Sequence, residues 1–304
     1  MQRLPLVLVA AILSHVAVNE LESAKILGLF HLNSRSHFVM FEALLRGLAS
    51  RGHEVYVVSH FPQEQPLPNY TDISLKGTLP ELVNNFTMEF ALNFRYTNMI
   101  DFLWYKTLDM CQVAFDHPNF KSLLSDDKQF DLIITEIVGP DCFLGLKHLY
   151  KCPVISMTSS VSFPWGNDRL GNPDNPAYIP NYFVPFSDHM TFTERFINFF
   201  ITQGAKLTSY YFGDLPAEKM QRKYFKKSLP PISELQKEIS ILFVNSHFSL
   251  NVPRPAVPGF IEVGGLHIQP GKELPQVFKN KPLRILLCYI KKYHPHLIPV
   301  GRND

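Results

Sequence analysis

The chain of 304 residues is sparing with cysteine, tryptophan and glycine, holding 4, 2 and 15 of them. Its cysteines (Cys111, Cys142, Cys152 and Cys288) have no paired spacing, so no disulfide framework is expected and buried apolar thiols are the simpler reading. A surplus of one charge is also missing, since 29 Lys and Arg face 27 Asp and Glu for a net +2. That balance offers nucleic acid no basic face, and the late cluster Lys279, Lys281, Arg284, Lys291 and Lys292 reads as a solvated tail. No apolar run reaches the ~20 residues of a membrane span. The best late candidate, Leu283 to Ile290, has eight, so no transmembrane anchor is expected in this chain. Several chemical signatures are lacking as well. No G-x-G-x-x-G follows the first strand, which argues against a dinucleotide cofactor. Walker, G-x-S-x-G, H-E-x-x-H and C-x-x-C patterns do not occur, and His294 with His296 reads as a chance pair, so no metal is expected.

What is present suits a folded α/β protein. Apolar residues make up 46% and aromatics 13%, enough to bury a sizeable core. A basic start at Arg3, an apolar stretch from Leu4 to Val18 and small residues before Glu20 read as a secretory signal peptide over 1–23, with cleavage after Ala17 or Ala24. Two sequons, at Asn69 and Asn85, fit passage through the endoplasmic reticulum lumen or secretion.

Periodicity organises the rest. Ala24 to Phe30 is a short buried run; from His37 the apolar positions Phe38, Phe41, Leu44, Leu45 and Leu48 follow helical spacing, with Ser36 as cap and Gly52 as the closing residue. Glu54 to Ser59 is then a second strand, and strand–helix–strand over so short a span predicts a parallel sheet. Helices are expected over Leu79 to Asn93 and Ile100 to Phe115. A second strand–helix–strand unit uses Phe130 to Glu136, Asp141 to Tyr150 and Pro153 to Met157. Residues 158–190 read as a long loop rich in Pro, Asn, Gly and aromatics, which points to function. Thr191 to Phe212 is helical, and Ile241 to Asn245 and Phe260 to Val263 are the last strands. The fold class is α/β: a Rossmann-like parallel sheet with helices on both faces over 24–270, followed by a divergent tail over 271–304.

One constellation carries chemistry. His37 sits where the first strand's loop meets the next helix, on the carboxyl edge where open α/β sheets bind ligands. A helix N-terminus disfavours the imidazolium and keeps the ring able to accept a proton; equally, the residue can serve as a cap. Glu136 ends one strand and Asp141 opens the helix after it, so either carboxylate can orient the imidazole, and either can instead be a solvated end or a cap. Phe163, Trp165, Tyr178 and Tyr182 suit an apolar small-molecule pocket or the loop's own packing core.

Ser36-His37-Phe38, the run Arg51 to Val55, the strand Phe130 to Glu136 with Asp141 to Gly145, and the long stretch Pro164 to Asn181 resemble the UDP-glycosyltransferases, as do Asp188 to Phe192 and Val244 to His247. The resemblance runs over about 24–276 and is nearest to insect members. It implies the N-terminal, acceptor-binding domain of a GT-B glycosyltransferase. His37 would be the base for inverting transfer from a UDP-sugar to a hydroxyl of a small lipophilic acceptor, with Glu136 or Asp141 as its partner. The UDP-sugar is a co-substrate rather than a cofactor, and its site in the family lies in a second domain whose signatures are not found here. The chain is therefore expected to be inactive alone. The alternative is a non-catalytic lumenal module that binds lipophilic ligands or associates with a full-length relative.

Overall fold

Among the described residues seven strands form one sheet, in the order β3-β2-β1-β4-β5-β6-β7. They are β1 Lys25–Leu29, β2 Glu54–Ser59, β3 Tyr70–Ser74, β4 Leu132–Glu136, β5 Val154–Thr158, β6 Ile241–Val244 and β7 Phe260–Glu262. The computed structural model describes residues 23–80, 101–225, 228–251, 253–269 and 271. Every strand pairing is parallel. A parallel sheet is covered on both faces, so its strands read as continuous apolar runs. In β4, Ile133, Ile134, Thr135 and Glu136 are all buried.

The chain runs outward from β1 through β2 to β3, then returns to the other side of β1 with β4. The strand order therefore reverses between β1 and β4, the place where a crevice opens beyond the strand ends. One side of the sheet packs Leu27, Leu29, Ile133 and Val154 against the helical residues Phe115 and Phe225 and against Phe143 of the turn after β4. The other packs Ile26, Val55, Val57 and Ile134 against Phe38, Phe41 and Leu45.

Helix α1, Arg35–Ser50, begins two residues before the expected start, with Ser34 rather than Ser36 at the N-cap. Both serines are present, and Ser34 Oγ lies 3.1 Å from Ser36 Oγ. Its end is as read: Gly52 takes φ +92°, a left-handed conformation only glycine adopts cheaply. A π-helical turn, Asp101–Lys106, leads into α2, Thr107–Asp116, and Pro118–Ser125 forms α3. The expected helix from Asp141 is shorter, α4 Gly145–Tyr150. The loop over 158–190 contains a helix, α5 Pro164–Leu170. Thr191 and Glu194 form a reciprocal capping box that starts α6, Phe192–Thr208. A second π-helical turn, Ser209–Asp214, joins α6 to α7, Leu215–Phe225, and α8 is Ile232–Lys237.

One cysteine expectation, the absence of a disulfide, needs correction. Cys111 of α2 and Cys142 after β4 are joined in a disulfide, with Cα atoms 6.0 Å apart. Cys152 is a free buried thiol, its pKa pushed up to about 11, chiefly by burial. Cys288 lies outside the described residues, as do Asn85, His294, His296 and most of the expected leader and tail. Among the described residues no helix is long and apolar enough to cross a membrane.

Candidate active site

His37 is the third residue of α1, beyond the loop that follows β1. The reversal of strand order brings it beside the last residue of β4: His37 Nδ1 lies 2.6 Å from Glu136 Oε1. Glu136 is held in register opposite Met157 of β5, and only 1% of its side chain is exposed, against 28% for His37. A buried carboxylate needs hydrogen-bond partners, and the imidazole N–H supplies one. Because the carboxylate only accepts, Nδ1 carries the hydrogen and Nε2 keeps its lone pair. Burial of His37 depresses its pKa, but the adjacent Glu136 charge and their hydrogen bond raise it and prevail. The helix N-terminus was expected to keep the ring neutral. The net direction is instead upward, because a carboxylate in contact outweighs the partial charges of backbone N–H groups.

Asp141 is elsewhere. Its Oδ2 lies 2.5 Å from Arg169 Nη2 of α5, with 2% of each side chain exposed, in a charge contact that lacks the alignment of a hydrogen bond. Gln236 Nε2 donates to the same oxygen at 2.8 Å. The buried Asp214 belongs to this group: burial, followed by the Asp141 charge, pushes its pKa up to about 7. This network ties α5, α8 and the second π-turn to the loop after β4. Gly139, in that loop, has no room for a side chain, since a Cβ would lie 2.6 Å from the Leu103 carbonyl oxygen.

The four aromatic candidates divide. Phe163 and Trp165 are buried and stacked, ring centroids 4.7 Å apart, and Trp104 closes edge-on against Trp165 at 4.8 Å. They belong to a third apolar cluster with Leu242 and Val244. Tyr182 packs on Phe163 at 5.1 Å but is 47% exposed, and Tyr178 is 41% exposed. So Phe163 and Trp165 help build the loop's packing core, while the two tyrosines face solvent. Asn69 is exposed at φ 59°, its sequon partner Thr71 is exposed too, and its amide donates to the Ala49 carbonyl at 3.4 Å.

Sequence reasoning missed Ser159, whose Oγ lies 2.8 Å from His37 Nδ1. The available signal was the hydroxyl run Thr158-Ser159-Ser160 that ends β5 and continues past it, on the same sheet edge. A second histidine, His31, is buried with neither ring nitrogen bonded, and burial pushes its pKa down to about 3. The sulfurs of Cys111 and Cys142 lie within 4.8 Å of it, but in a disulfide they offer a metal no thiolate.

The family profile described as "UDP-glucoronosyl and UDP-glucosyl transferase" matches residues 25–281. UDP-glucosyltransferase 2 of Dactylopius coccus is 35% identical over 271 residues, covering 86% of this chain and 51% of that protein. Human UDP-glucuronosyltransferase 1A6 is 26% identical over 270 residues, covering 80% and 48%. A Medicago truncatula glycosyltransferase structure complexed with UDP-glucose aligns at 11% identity and a TM-score of 0.42, covering 90% of this chain and 58% of that one. The chain spans about half the length of the curated relatives it matches.

Proposed function

Because the chain belongs to the UDP-glucuronosyl and UDP-glucosyl transferase family, we propose that it carries the acceptor-side base for transfer of a hexose from a UDP-sugar to a hydroxyl of a small lipophilic molecule. The observation that carries this reading is the 2.6 Å contact between His37 Nδ1 and a buried Glu136 at the sheet's reversal point. Nε2 takes the acceptor's hydroxyl proton as the oxygen attacks the anomeric carbon. The bond to UDP breaks on the opposite face, with inversion, and UDP leaves with the bonding electrons. Glu136 then stabilises the imidazolium, the part a carboxylate plays beside any general-base histidine. By the same reading Asp141, engaged with Arg169, holds the fold rather than the base.

Donor positioning belongs, in this proposal, to residues beyond the half that the chain shares with its relatives. Residues 1–23 act as a secretory leader and Asn69 accepts a glycan, a reading supported by its exposure. The test joins this chain to the remaining length of a relative and supplies UDP-glucose with a panel of lipophilic alcohols and phenols. Replacing His37 with Ala should cut turnover by roughly 10² to 10⁴, the usual weight of general-base catalysis. A folded His37→Ala protein with undiminished turnover would overturn the assignment.

A further inference from the structure

His37 Nδ1 has two polar neighbours and one hydrogen to share. Glu136 Oε1 approaches at 2.6 Å from the end of β4, and Ser159 Oγ at 2.8 Å from just beyond β5. We propose that Ser159 is a second positioning residue for His37, and that Asn245 fixes Ser159 in place. The proposal rests on the reading of His37 as the base.

The argument begins with what each neighbour can do. A carboxylate only accepts, whereas a hydroxyl both donates and accepts. If Nδ1 carries the hydrogen, both oxygens can accept from it, and the ring is bracketed from two adjacent strands. If Nδ1 is bare, Ser159 can donate to it, but the Glu136 oxygen then faces a lone pair at 2.6 Å. The first arrangement is favoured, and it leaves Nε2 free to take a proton. Glu136 alone would set the tautomer. Ser159 adds a second direction, so rotation of the ring about its bond to Cβ breaks a contact whichever way it turns. Once Nε2 is protonated, the same hydroxyl is a further acceptor for the imidazolium, and bonds to charged groups are the stronger kind. Glu136 is the charged group that acts on His37 among the described residues, so the neutral Ser159 tunes a field that one carboxylate dominates.

Ser159 is itself held. Asn245, immediately past β6, donates its Nδ2–H to the Ser159 carbonyl at 2.8 Å. Its backbone N–H donates to the Thr158 carbonyl at 3.1 Å, which extends the β5–β6 ladder by one step. Its side-chain oxygen accepts from the Gly265 N–H at 3.4 Å. The other hydroxyls of the run are engaged locally: Thr158 Oγ1 and Ser160 Oγ lie 3.3 Å apart, and Ser160 Oγ also donates to the Val161 carbonyl. Of the three, Ser159 is the one turned to the base.

The chain as it stands suffices for the first test. Nitrogen-15 NMR of its histidines reports both the tautomer and the titration midpoint of His37, with His37→Gln identifying the resonances. Ser159→Ala should lower the midpoint while Glu136 keeps the tautomer, Ser159→Thr should restore the native midpoint, and Ser160→Ala should change nothing. Asn245→Ala should act in the same direction as Ser159→Ala, to a smaller degree. In the joined transferase, Ser159→Ala should reduce kcat about tenfold, the order of one hydrogen bond to a charged group, leave KM nearly unchanged and move the acidic limb of the pH profile down. A Ser159→Ala protein with native midpoint and kcat, folded by circular dichroism, overturns the proposal. Loss of the base reading shows up separately, as full activity in His37→Ala, whatever the spectra of Ser159→Ala.

Discussion

Between His37 and Glu136 the decisive quantity is the charge of one buried oxygen pair, 1% exposed and 2.6 Å from a ring nitrogen. Glu136→Gln keeps the shape and removes the charge. The first effect on His37 is then burial, which favours the neutral ring, so its midpoint should fall. Activity that needs a bare Nε2 rises with pH through that midpoint. The acidic limb of kcat/KM in the joined enzyme should therefore move to lower pH in Glu136→Gln, while the plateau drops toward that of His37→Ala. Asp141→Ala makes the contrast. It removes the carboxylate in contact with the buried Arg169, a loss of about 3 to 5 kcal/mol, so a large fall in the urea midpoint is expected. The two carboxylates were indistinguishable in the sequence because one ends β4 and the other follows it on the same sheet edge. Which one reaches His37 depends on side-chain direction in a strand buried on both faces, where alternation leaves no trace. Asp214 gives a pH signature of its own. Its folded pKa is raised to about 7, so the folded state binds the extra proton. Stability from this group is fully present below its unfolded pKa and is lost as pH rises through about 7. Asp214→Asn should flatten that decline in denaturation midpoints measured between mildly acidic and neutral pH.

Among the elements, those with local signals were legible and those made by distant contacts were not. Strands β1, β2 and β4 to β7 and helices α1 and α6 follow from apolar period and caps. β3 did not, because Tyr70–Ser74 alternates weakly at the sheet's edge, nor did the two π-helical turns, whose extra residue per turn has no compositional mark. The Cys111–Cys142 link joins α2 to the loop after β4, across a sequence separation of 31. Spacing alone could not pair them, since the sheet brings them together. A loop of that length predicts roughly 3 to 4 kcal/mol of stabilisation from the cross-link. Urea titrations with and without a dithiol reductant should differ by that amount, and a Cys111→Ser, Cys142→Ser protein should match the reduced curve. At the start of α6, Thr191→Ala removes half of a complete capping box, and a loss of about 1 kcal/mol is expected in the same assay.

Among the described residues the sheet is well buried, whereas α6 turns apolar side chains toward solvent. Phe192, Phe196 and Phe200 recur at helical spacing along α6 with 76%, 55% and 57% exposed. Contiguous apolar surface of this kind promotes association. Phe196→Lys with Phe200→Lys should suppress concentration-dependent self-association in sedimentation velocity while leaving the thermal midpoint nearly unchanged.

The all-parallel pairing has a kinetic meaning as well. No strand can join its neighbour through a tight hairpin, so every pairing waits for a crossover to close, and contacts of this kind slow folding. The β1–α1–β2–β3 stretch pairs Lys25 with Glu54 and Val55 with Tyr70, far closer in sequence than Ile26 and Leu132 across β1 and β4, so it is a natural nucleus and should show the higher φ-values. His37 belongs to that nucleus, whereas Glu136 lies 99 residues farther along the chain and docks only when β4 arrives on the opposite side of β1. The base is thus made early and its carboxylate arrives late. In refolding followed by quenched histidine exchange, protection of the His37 ring should lag behind α1 helicity and appear with the last cooperative step.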